Sequence, residues 1–218
     1  MAASLLLNLT NSLIAYHPGM LEHPLTIHTI VGSTRQQRFS EKPARWIHDR
    51  LAARSEVTAE LVDLRDFPLP FFDQPVSPAR FHGTYPYPVV AEWTKKVEAA
   101  DAYIVVAPEY NHAYPAVLKN AFDWAFHEWN NKPIAFVSYG GVGGARAVEQ
   151  MRLVAIELEM APIRFAVHLP PEVYRAVMNE QVPVDPNLFQ ISQPAADRMI
   201  EQLIWWARAL KTARLAAK

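Results

Sequence analysis

The chain of 218 residues contains no cysteine. Disulfide bonds, thiolate nucleophiles and cysteine-ligated metal sites are therefore excluded. If a protein of this composition performs redox chemistry, a bound cofactor must carry the electrons. The absence of cysteine also agrees with a reducing compartment.

An excess of charge of either sign is also missing, because 21 basic residues face 22 acidic ones, for a formal net charge of −1. A near-neutral chain without long runs of like charge does not favour nucleic acid as a partner. No apolar run approaches the roughly 20 residues needed to span a membrane. No Lys or Arg precedes Arg35, so the basic segment of a signal peptide is lacking. We expect a cytoplasmic protein that acts without nucleic acid or membrane.

Five apolar runs are typical of buried parallel strands. The segments between them show helical periodicity, and strands that alternate with helices indicate a parallel sheet in a three-layer α/β sandwich. We divide the chain into an N-terminal extension, residues 1–24, and a single domain, residues 25–218. The predicted strands are residues 25–31, 57–64, 102–108, 133–139 and 163–169.

Two further stretches are predicted as loops. Residues 65–88 are rich in proline and aromatic side chains, and we expect them to fold over the sheet edge as a pocket wall or a subunit contact. Residues 169–190 join the last predicted strand to the last helix.

The decapeptide VGSTRQQRFS follows the first predicted strand and precedes a helix. Gly32 permits a tight turn, and Ser33 and Ser40 supply hydroxyl groups. Arg35 and Arg38 carry guanidinium groups that suit a phosphate, and the helix N-terminus adds free N–H groups. The loop predicts an anion site, with a plain polar turn as the alternative. It is neither a P-loop nor a dinucleotide fingerprint, because GxxxxGK[ST] and GxGxxG are both absent.

The segment PEYNHAYP follows the third predicted strand. Tyr110 offers a flat face, and Asn111 and His112 offer donors and acceptors, a combination that suits an aromatic ligand with polar edges. Helix capping around a core tyrosine is the alternative interpretation. We do not assign His112 as a catalytic base, because no partner carboxylate is evident.

The segment SYGGVGGARA follows the fourth predicted strand and contains four of the seven glycines of the chain. Such a loop allows the backbone to approach a ligand closely and to direct N–H groups towards it. A glycine hinge or a simple tight turn is the alternative.

Ligands of open parallel sheets bind beyond the carboxyl ends of the strands, where these three loops are expected to meet. One loop suits a phosphate and the other two suit a flat group with hydrogen-bonding edges. Together they predict a mononucleotide cofactor, and a flavin fits best.

The three motifs resemble those of the NAD(P)H-dependent FMN reductases of the flavodoxin-like fold, a family that also includes chromate and quinone reductases and some azoreductases. The resemblance extends over residues 25–168. It implies a flavodoxin-like sandwich with a five-stranded parallel sheet in the order 2-1-3-4-5. It also implies FMN as cofactor, NADPH or NADH as co-substrate, and a homodimer or homotetramer.

The resemblance further implies three groups of cofactor-binding residues, with no side chain assigned as a catalytic acid or base and none as a metal ligand. The phosphate group comprises Ser33, Arg35, Arg38, Phe39 and Ser40. The ribityl and ring group comprises Pro108, Glu109, Tyr110, Asn111 and, with its role left open, His112. The group at the polar edge of the ring comprises Ser138, Tyr139, Gly140, Gly141 and Gly143.

The implied activity is transfer of hydride from NAD(P)H through bound FMN to a small acceptor such as a quinone, an azo compound, chromate or free flavin. One alternative is a non-enzymatic electron carrier of the flavodoxin type, although such carriers are usually strongly acidic. The other is a flavin-free hydrolase or nucleotide-binding protein, for which the sequence shows no Ser–His–acid arrangement.

Overall fold

The structure is a computed structural model that describes residues 23–178 and 187–217. Its centre is a parallel sheet with four long strands of seven residues each. Every position of the third and fourth of these strands is buried, because helices cover both faces of the sheet. The long strands are β1 (Leu25–Val31), β2 (Val57–Asp63), β3 (Ala102–Pro108) and β4 (Pro133–Tyr139).

The order of the sheet is β2-β1-β3-β4, followed by two short strands that share the fifth position. These are β5 (Ala161–Pro162) and β6 (Val167–His168), and both pair with β4 in parallel. The arrangement confirms the predicted flavodoxin-like order 2-1-3-4-5.

The predicted fifth strand, residues 163–169, is not continuous, and this is a correction. In the middle of this segment, the backbone forms hydrogen bonds with side chains instead of with β4. Arg152 donates to the carbonyl oxygen of Arg164 at 2.9 Å, and the N–H of Phe165 donates to Gln202 at 3.0 Å. These two side chains satisfy backbone groups that a continuous strand would pair in the ladder.

Six α-helices in the described residues surround the sheet. α1 and α6 pack on one face, and α2, α3 and α4 pack on the other, so the three layers are confirmed. No helix in the described part of the chain combines the length and apolar character needed to cross a bilayer. The helices are α1 (Glu41–Ala52), α2 (Pro88–Ala99), α3 (Ala116–Asp123), α4 (Ala145–Glu157), α5 (Pro171–Met178) and α6 (Gln193–Ala216).

Helix α5 lies within residues 169–190, and the prediction of a loop is therefore wrong for the first part of this segment. The N-terminal extension predicted for residues 1–24 falls almost entirely outside the described residues.

The proline-rich loop of residues 65–88 packs against α3. Asn120 accepts a hydrogen bond from the N–H of Phe72 at 3.0 Å and donates to the carbonyl oxygen of Pro70 at 2.8 Å. Trp124 donates to the same oxygen at 2.6 Å. A groove of about 410 Å³ lies between this loop and α3, so the loop does form a pocket wall.

A buried lysine lies at the opposite end of the sheet, where β4 begins. The ammonium group of Lys132 donates to the carbonyl oxygens of Val97 (3.1 Å) and Glu98 (2.8 Å) and to the hydroxyl of Tyr103 (3.3 Å). Burial, followed by the positive charge of Arg214, lowers the pKa of Lys132 to about 7.

Candidate active site

The loops that follow β1, β3 and β4 meet at the carboxyl edge of the sheet, as the sequence predicted. The hydroxyl groups of Ser33 and Tyr110 lie 3.0 Å apart and join the first loop to the second. The N–H of Glu109 donates to the carbonyl oxygen of Tyr139 at 2.9 Å and joins the second loop to the end of β4.

Gly32 is required by the close approach of the first loop to β3. Its N–H donates to the carbonyl oxygen of Val106 at 2.8 Å. A Cβ atom at this position would lie 2.9 Å from that oxygen and 3.1 Å from Cδ2 of Leu118. Any side chain here would push the loop away from the sheet.

The first loop presents a row of backbone N–H groups that bond to nothing in the described chain. Residues 36–39 donate no backbone hydrogen bond there, and Gln37 has a left-handed backbone with φ 49°. The next residue, Ser40, is buried, and both its N–H and its hydroxyl group face the hydroxyl of Tyr139. Successive free N–H groups beside a left-handed residue form a concave anion site, and α1 begins directly after them. The loop therefore has the donors that a phosphate group needs.

The two arginines of this loop differ in their surroundings. The side chain of Arg38 is only 3% exposed and binds both carboxylate oxygens of Asp63, with Nη1 2.7 Å from Oδ1. That hydrogen bonding raises the pKa of Arg38. Arg35 is exposed, and its guanidinium carbon lies 5.7 Å from the centre of the Tyr110 ring. The charge that remains available to a ligand therefore belongs to Arg35.

An aromatic cluster lies below the first loop. Phe39 is buried and packs edge-on against Tyr139 at 4.7 Å and Tyr174 at 5.4 Å between ring centres. Tyr139 and Tyr174 stack at 5.9 Å with 24° between their planes, and burial raises the pKa of Tyr139. The side chain of Phe39 is thus a packing element, and only its backbone faces the anion site. The narrow cleft above the cluster is lined by Arg35, Gln37, Arg38, Phe39, Tyr110, Tyr139 and Tyr174.

Tyr174 is not among the residues that the sequence predicts for the site, because it lies in α5 and outside the three motifs. A weak signal was present, since Pro171 at the start of a short apolar stretch favours a helix beginning there.

The second loop is a two-residue turn. Tyr110 and Ala113 exchange two backbone hydrogen bonds of 2.7 and 3.0 Å. The central residues Asn111 and His112 have φ 49° and 69°, the left-handed pair of a type I′ turn. Both are exposed, whereas Pro108, which ends β3, is buried.

Arg146, in the first turn of α4, connects the second loop to the third. Its Nε donates to Glu109 at 2.6 Å, and its Nη1 lies 2.8 Å from Nε2 of His112. Because arginine can only donate, Nε2 of His112 is the acceptor and the ring proton is on Nδ1. Arg146 lies in the third motif but is not among the residues predicted for the site.

The glycine loop after β4 is held by Ser138, whose side chain is buried. Its hydroxyl donates to the carbonyl oxygen of Gly143 at 2.8 Å and lies 2.9 Å from Nδ1 of His168. Burial lowers the pKa of His168. Gly140 and Gly143 have positive φ angles of 151° and 69°, and a Cβ atom added to Gly141 would meet no atom within 4 Å.

The Ser138–His168 pair resembles part of a hydrolase site but cannot act as one. The serine is fully buried, and its single proton is engaged by a backbone carbonyl oxygen. A nucleophile must be reachable and must pass its proton to the histidine. The pair holds the loop in place instead.

A parallel sheet of order 2-1-3-4-5, with an anion loop after its first strand and a glycine loop after its fourth, defines a nucleotide-cofactor protein of the flavodoxin type. Comparison with known proteins makes the class more specific. Residues 25–171 match the family described as NADPH-dependent FMN reductase. The chain belongs to this family, which consists of enzymes that use FMN with NAD(P)H, and the resemblance stated from its motifs is confirmed.

Individual relatives agree with this assignment. Over 170 residues the chain is 35% identical to an NAD(P)H-dependent FMN reductase of Schizosaccharomyces pombe, covering 77% of this chain and 85% of the relative. Over 105 residues it is 40% identical to an NAD(P)H:quinone oxidoreductase of Solanum tuberosum, covering 46% and 51%. The flavoenzyme FerB, an NAD(P)H:acceptor oxidoreductase of Paracoccus denitrificans, shares the fold with a TM-score of 0.63 at 22% identity, covering 85% of this chain and 98% of FerB.

Proposed function

We propose that this protein transfers hydride from NADPH or NADH to bound FMN and then reduces a quinone. The observation that carries the cofactor assignment is the row of free N–H groups at residues 36–39, directly before the N-terminus of α1. Names among the relatives support the acceptor, since they include an NAD(P)H:quinone oxidoreductase of Solanum tuberosum and an NADPH:quinone oxidoreductase of Arabidopsis thaliana.

The residues of the first loop fit the phosphate end of FMN. The phosphate dianion would accept hydrogen bonds from the N–H groups of residues 36–39 and from the hydroxyl groups of Ser33 and Ser40. Arg35 would add a positive charge. Arg38 contributes through the loop that it supports, because its guanidinium group is bound to Asp63.

The other two loops fit the remainder of the cofactor. Tyr110 and Asn111 would line the ribityl chain and ring. The N–H groups of Gly141 and Val142 would face the polar edge of the ring, because that of Gly143 donates to the carbonyl oxygen of Gly140. Glu109 and Ser138 are engaged by Arg146 and Gly143, so they position these loops and act neither as acid nor as base.

FMN, when bound, supplies the group that accepts hydride and afterwards gives up two electrons. The overall reaction converts NAD(P)H, one solvent proton and a quinone to NAD(P)⁺ and a hydroquinone. The chain contributes binding, orientation and the exclusion of water, and no side chain is required as a catalytic acid or base.

We also propose that like chains assemble into a homodimer or homotetramer. Exposed apolar side chains on α4 support this, with Leu153 70% and Ile156 61% exposed on the same face of the helix. Light scattering coupled to gel filtration measures the mass of the particle, and a monomer of 24.7 kDa would contradict the proposal.

The decisive experiment is an absorption spectrum of purified protein after addition of FMN and removal of the excess. We expect a retained flavin band that bleaches when NADPH or NADH is added under argon and returns when benzoquinone follows. Riboflavin, which lacks the phosphate, serves as the matched ligand and should bind at least about 10-fold more weakly, because it loses charge-assisted hydrogen bonds.

Each other outcome has a distinct meaning. Loss of the flavin band on removal of the excess would refute the cofactor assignment. A retained band that neither nucleotide bleaches would indicate an electron carrier. Steady-state rates with an azo dye, chromate or free FMN above the rate with benzoquinone would refute the choice of quinone as acceptor.

A further inference from the structure

We propose that Asp63, at the carboxyl end of β2, is a positioning residue for the FMN phosphate. It lies outside the three motifs, and it acts through two arginines on the backbone of the phosphate loop. The inference rests on the proposed function, because it concerns how the same site recognises its cofactor.

Asp63 is the centre of a small hydrogen-bond network. Its carboxylate accepts two hydrogen bonds from the guanidinium group of Arg38 and a third from the N–H of Arg65 at 2.9 Å. Although burial alone would raise the pKa of Asp63, the hydrogen bonds from Arg38 and Arg65 lower it below its ordinary value. The carboxylate is therefore ionised at neutral pH, where it orients the guanidinium group of Arg38 and holds the backbone of Arg65.

Both arginines in turn hold carbonyl groups of the phosphate loop. Nη1 of Arg38 donates to the carbonyl oxygen of Ser33 at 2.7 Å, and the guanidinium group of Arg65 donates to the carbonyl oxygen of Arg35. Asp63 thus orients the side chain of Arg38 directly, and it anchors the backbone of Arg65, whose side chain holds the second carbonyl group.

Fixing a carbonyl group also fixes the N–H group that follows it. In a planar trans peptide the C=O and the N–H of one unit point in opposite directions. With the carbonyl oxygens of Ser33 and Arg35 held towards the arginines, the N–H groups of Thr34 and Gln36 point to the other side of the loop. Neither of these N–H groups donates a hydrogen bond within the described chain, so both remain available to an anion.

This arrangement gives Arg38 a different role from direct contact with the phosphate. If its guanidinium group turned to the ligand, the carboxylate of Asp63 would lose two hydrogen bonds at a site where its side chain is only 26% exposed. The geometry favours a fixed Arg38–Asp63 pair that shapes the loop, while Arg35 and the backbone bind the anion.

The test compares the dissociation constants of FMN and riboflavin for the wild-type protein and for Asp63→Asn. We expect the substitution to weaken FMN binding about 10- to 100-fold, since hydrogen bonds to charged groups are involved. We expect riboflavin binding to change less than about 3-fold, because riboflavin has no phosphate for the loop to bind. The ratio of the two constants is the readout, and a general loss of structure would not change it.

Asp66→Asn is the matched control. Asp66 is exposed, lies three residues away and makes no hydrogen bond or ion pair within the described residues, so its substitution removes the same charge without touching the network. We expect less than about a 2-fold change with either ligand, because exposed positions outside such networks contribute little.

Arg65→Gln keeps the test decisive if Asp63→Asn fails to fold. It preserves the Asp63–Arg38 pair and removes only the guanidinium bond to the carbonyl oxygen of Arg35. We expect FMN binding to weaken about 3- to 10-fold and riboflavin binding to stay unchanged, in keeping with the loss of one hydrogen bond.

A double-mutant cycle separates the positioning role of Arg38 from direct contact. If Arg38 and Asp63 act as one unit, Arg38→Ala, Asp63→Ala and the double variant will lose similar amounts of FMN affinity. Additive losses of FMN affinity would overturn the inference. An unchanged dissociation constant of FMN in Asp63→Asn, or equal weakening of FMN and riboflavin binding, would overturn it as well.

Failure of the wild-type protein to bind FMN would instead refute the proposed function.

Discussion

The carboxylate of Glu109, at the end of β3, is bound by Arg146 at the start of α4 through both side chain and backbone. Nε of Arg146 lies 2.6 Å from Oε1, and its N–H lies 3.2 Å from Oε2. The Glu109 side chain is only 3% exposed, and Gly140 packs directly above it, where a Cβ atom would come within 3.0 Å of the Glu109 Cβ. This contact sets the distance between the second and third loops of the site.

Replacement of Glu109 by Gln should therefore destabilise the protein and loosen both loops. Loss of a buried partner costs about 3–5 kcal/mol, but Arg146 is 40% exposed and solvent compensates part of that loss. We expect the free energy of unfolding to fall by about 1–2 kcal/mol in urea denaturation. Asp123→Asn, which breaks an exposed pair with Lys119, is the control and should cost less than about 0.5 kcal/mol. Equal losses in the two variants would contradict the structural role of Glu109.

The glycine loop allows a sharp comparison between Gly144 and Gly141. A Cβ atom on Gly144 would lie 2.6 Å from Cβ of Ser138, and the residue has φ 76°, whereas a Cβ atom on Gly141 would meet nothing within 4 Å. Left-handed backbone alone costs an L-residue about 1–2 kcal/mol, and the clash adds to it.

In thermal unfolding we expect Gly144→Ala to lower the Tm by at least about 4 °C and Gly141→Ala by less than about 2 °C, given a scale of about 2–4 °C per kcal/mol for a chain of this size. The opposite order would show that the loop backbone differs from the one described.

Tyr174 should support flavin binding through its ring. The ring stacks on Tyr139 and packs edge-on against Phe39, directly below the phosphate loop. We expect Tyr174→Ala to weaken FMN binding about 10-fold, since aromatic pairs contribute about 0.5–1.5 kcal/mol each, and Tyr174→Phe to stay within about 2-fold. Quenching of flavin fluorescence measures both constants. If Tyr174→Phe loses as much as Tyr174→Ala, the hydroxyl group and not the stacking is responsible.

The strands were predictable wherever the sheet itself satisfies the backbone. β3 and β4 are apolar at nearly every position because both of their faces are buried, and their observed bounds coincide with the predicted ones. The fifth strand is interrupted because Arg152 and Gln202 bond to its backbone, and these side chains belong to helices that no local pattern connects to it.

The location of the candidate site was predictable, but its internal contacts were not. The rule that ligands bind beyond the carboxyl ends of the strands brought the three loops together from the sequence alone. The Arg38–Asp63 pair joins residues 25 positions apart, and the Glu109–Arg146 pair joins residues 37 positions apart. Such pairs depend on the tertiary arrangement, so the sequence identified these arginines only as motif residues and did not identify Asp63. The assignment of individual residues to FMN stays a prediction.

Lys132 should make the stability of this protein depend on pH above neutrality. Its pKa is lowered to about 7 in the folded protein, whereas an unfolded chain gives lysine a pKa of about 10.4. Between these values the unfolded state binds more protons than the folded state, so the free energy of unfolding rises with pH.

The Lys132→Met variant lacks the buried ammonium group. The free energy of unfolding of this variant should therefore rise less with pH than that of the wild-type protein. Urea denaturation measures the free energy of unfolding at pH 7 and at pH 9. Between these two values we expect the wild-type protein to gain about 2 kcal/mol more than Lys132→Met, since the free energy of unfolding rises by up to about 1.4 kcal/mol per pH unit for one such group. Lys119→Met, at an exposed position, is the control and should leave the wild-type slope unchanged. Parallel curves for wild type and Lys132→Met would mean that the three oxygen atoms around the ammonium group offset its burial and keep Lys132 charged.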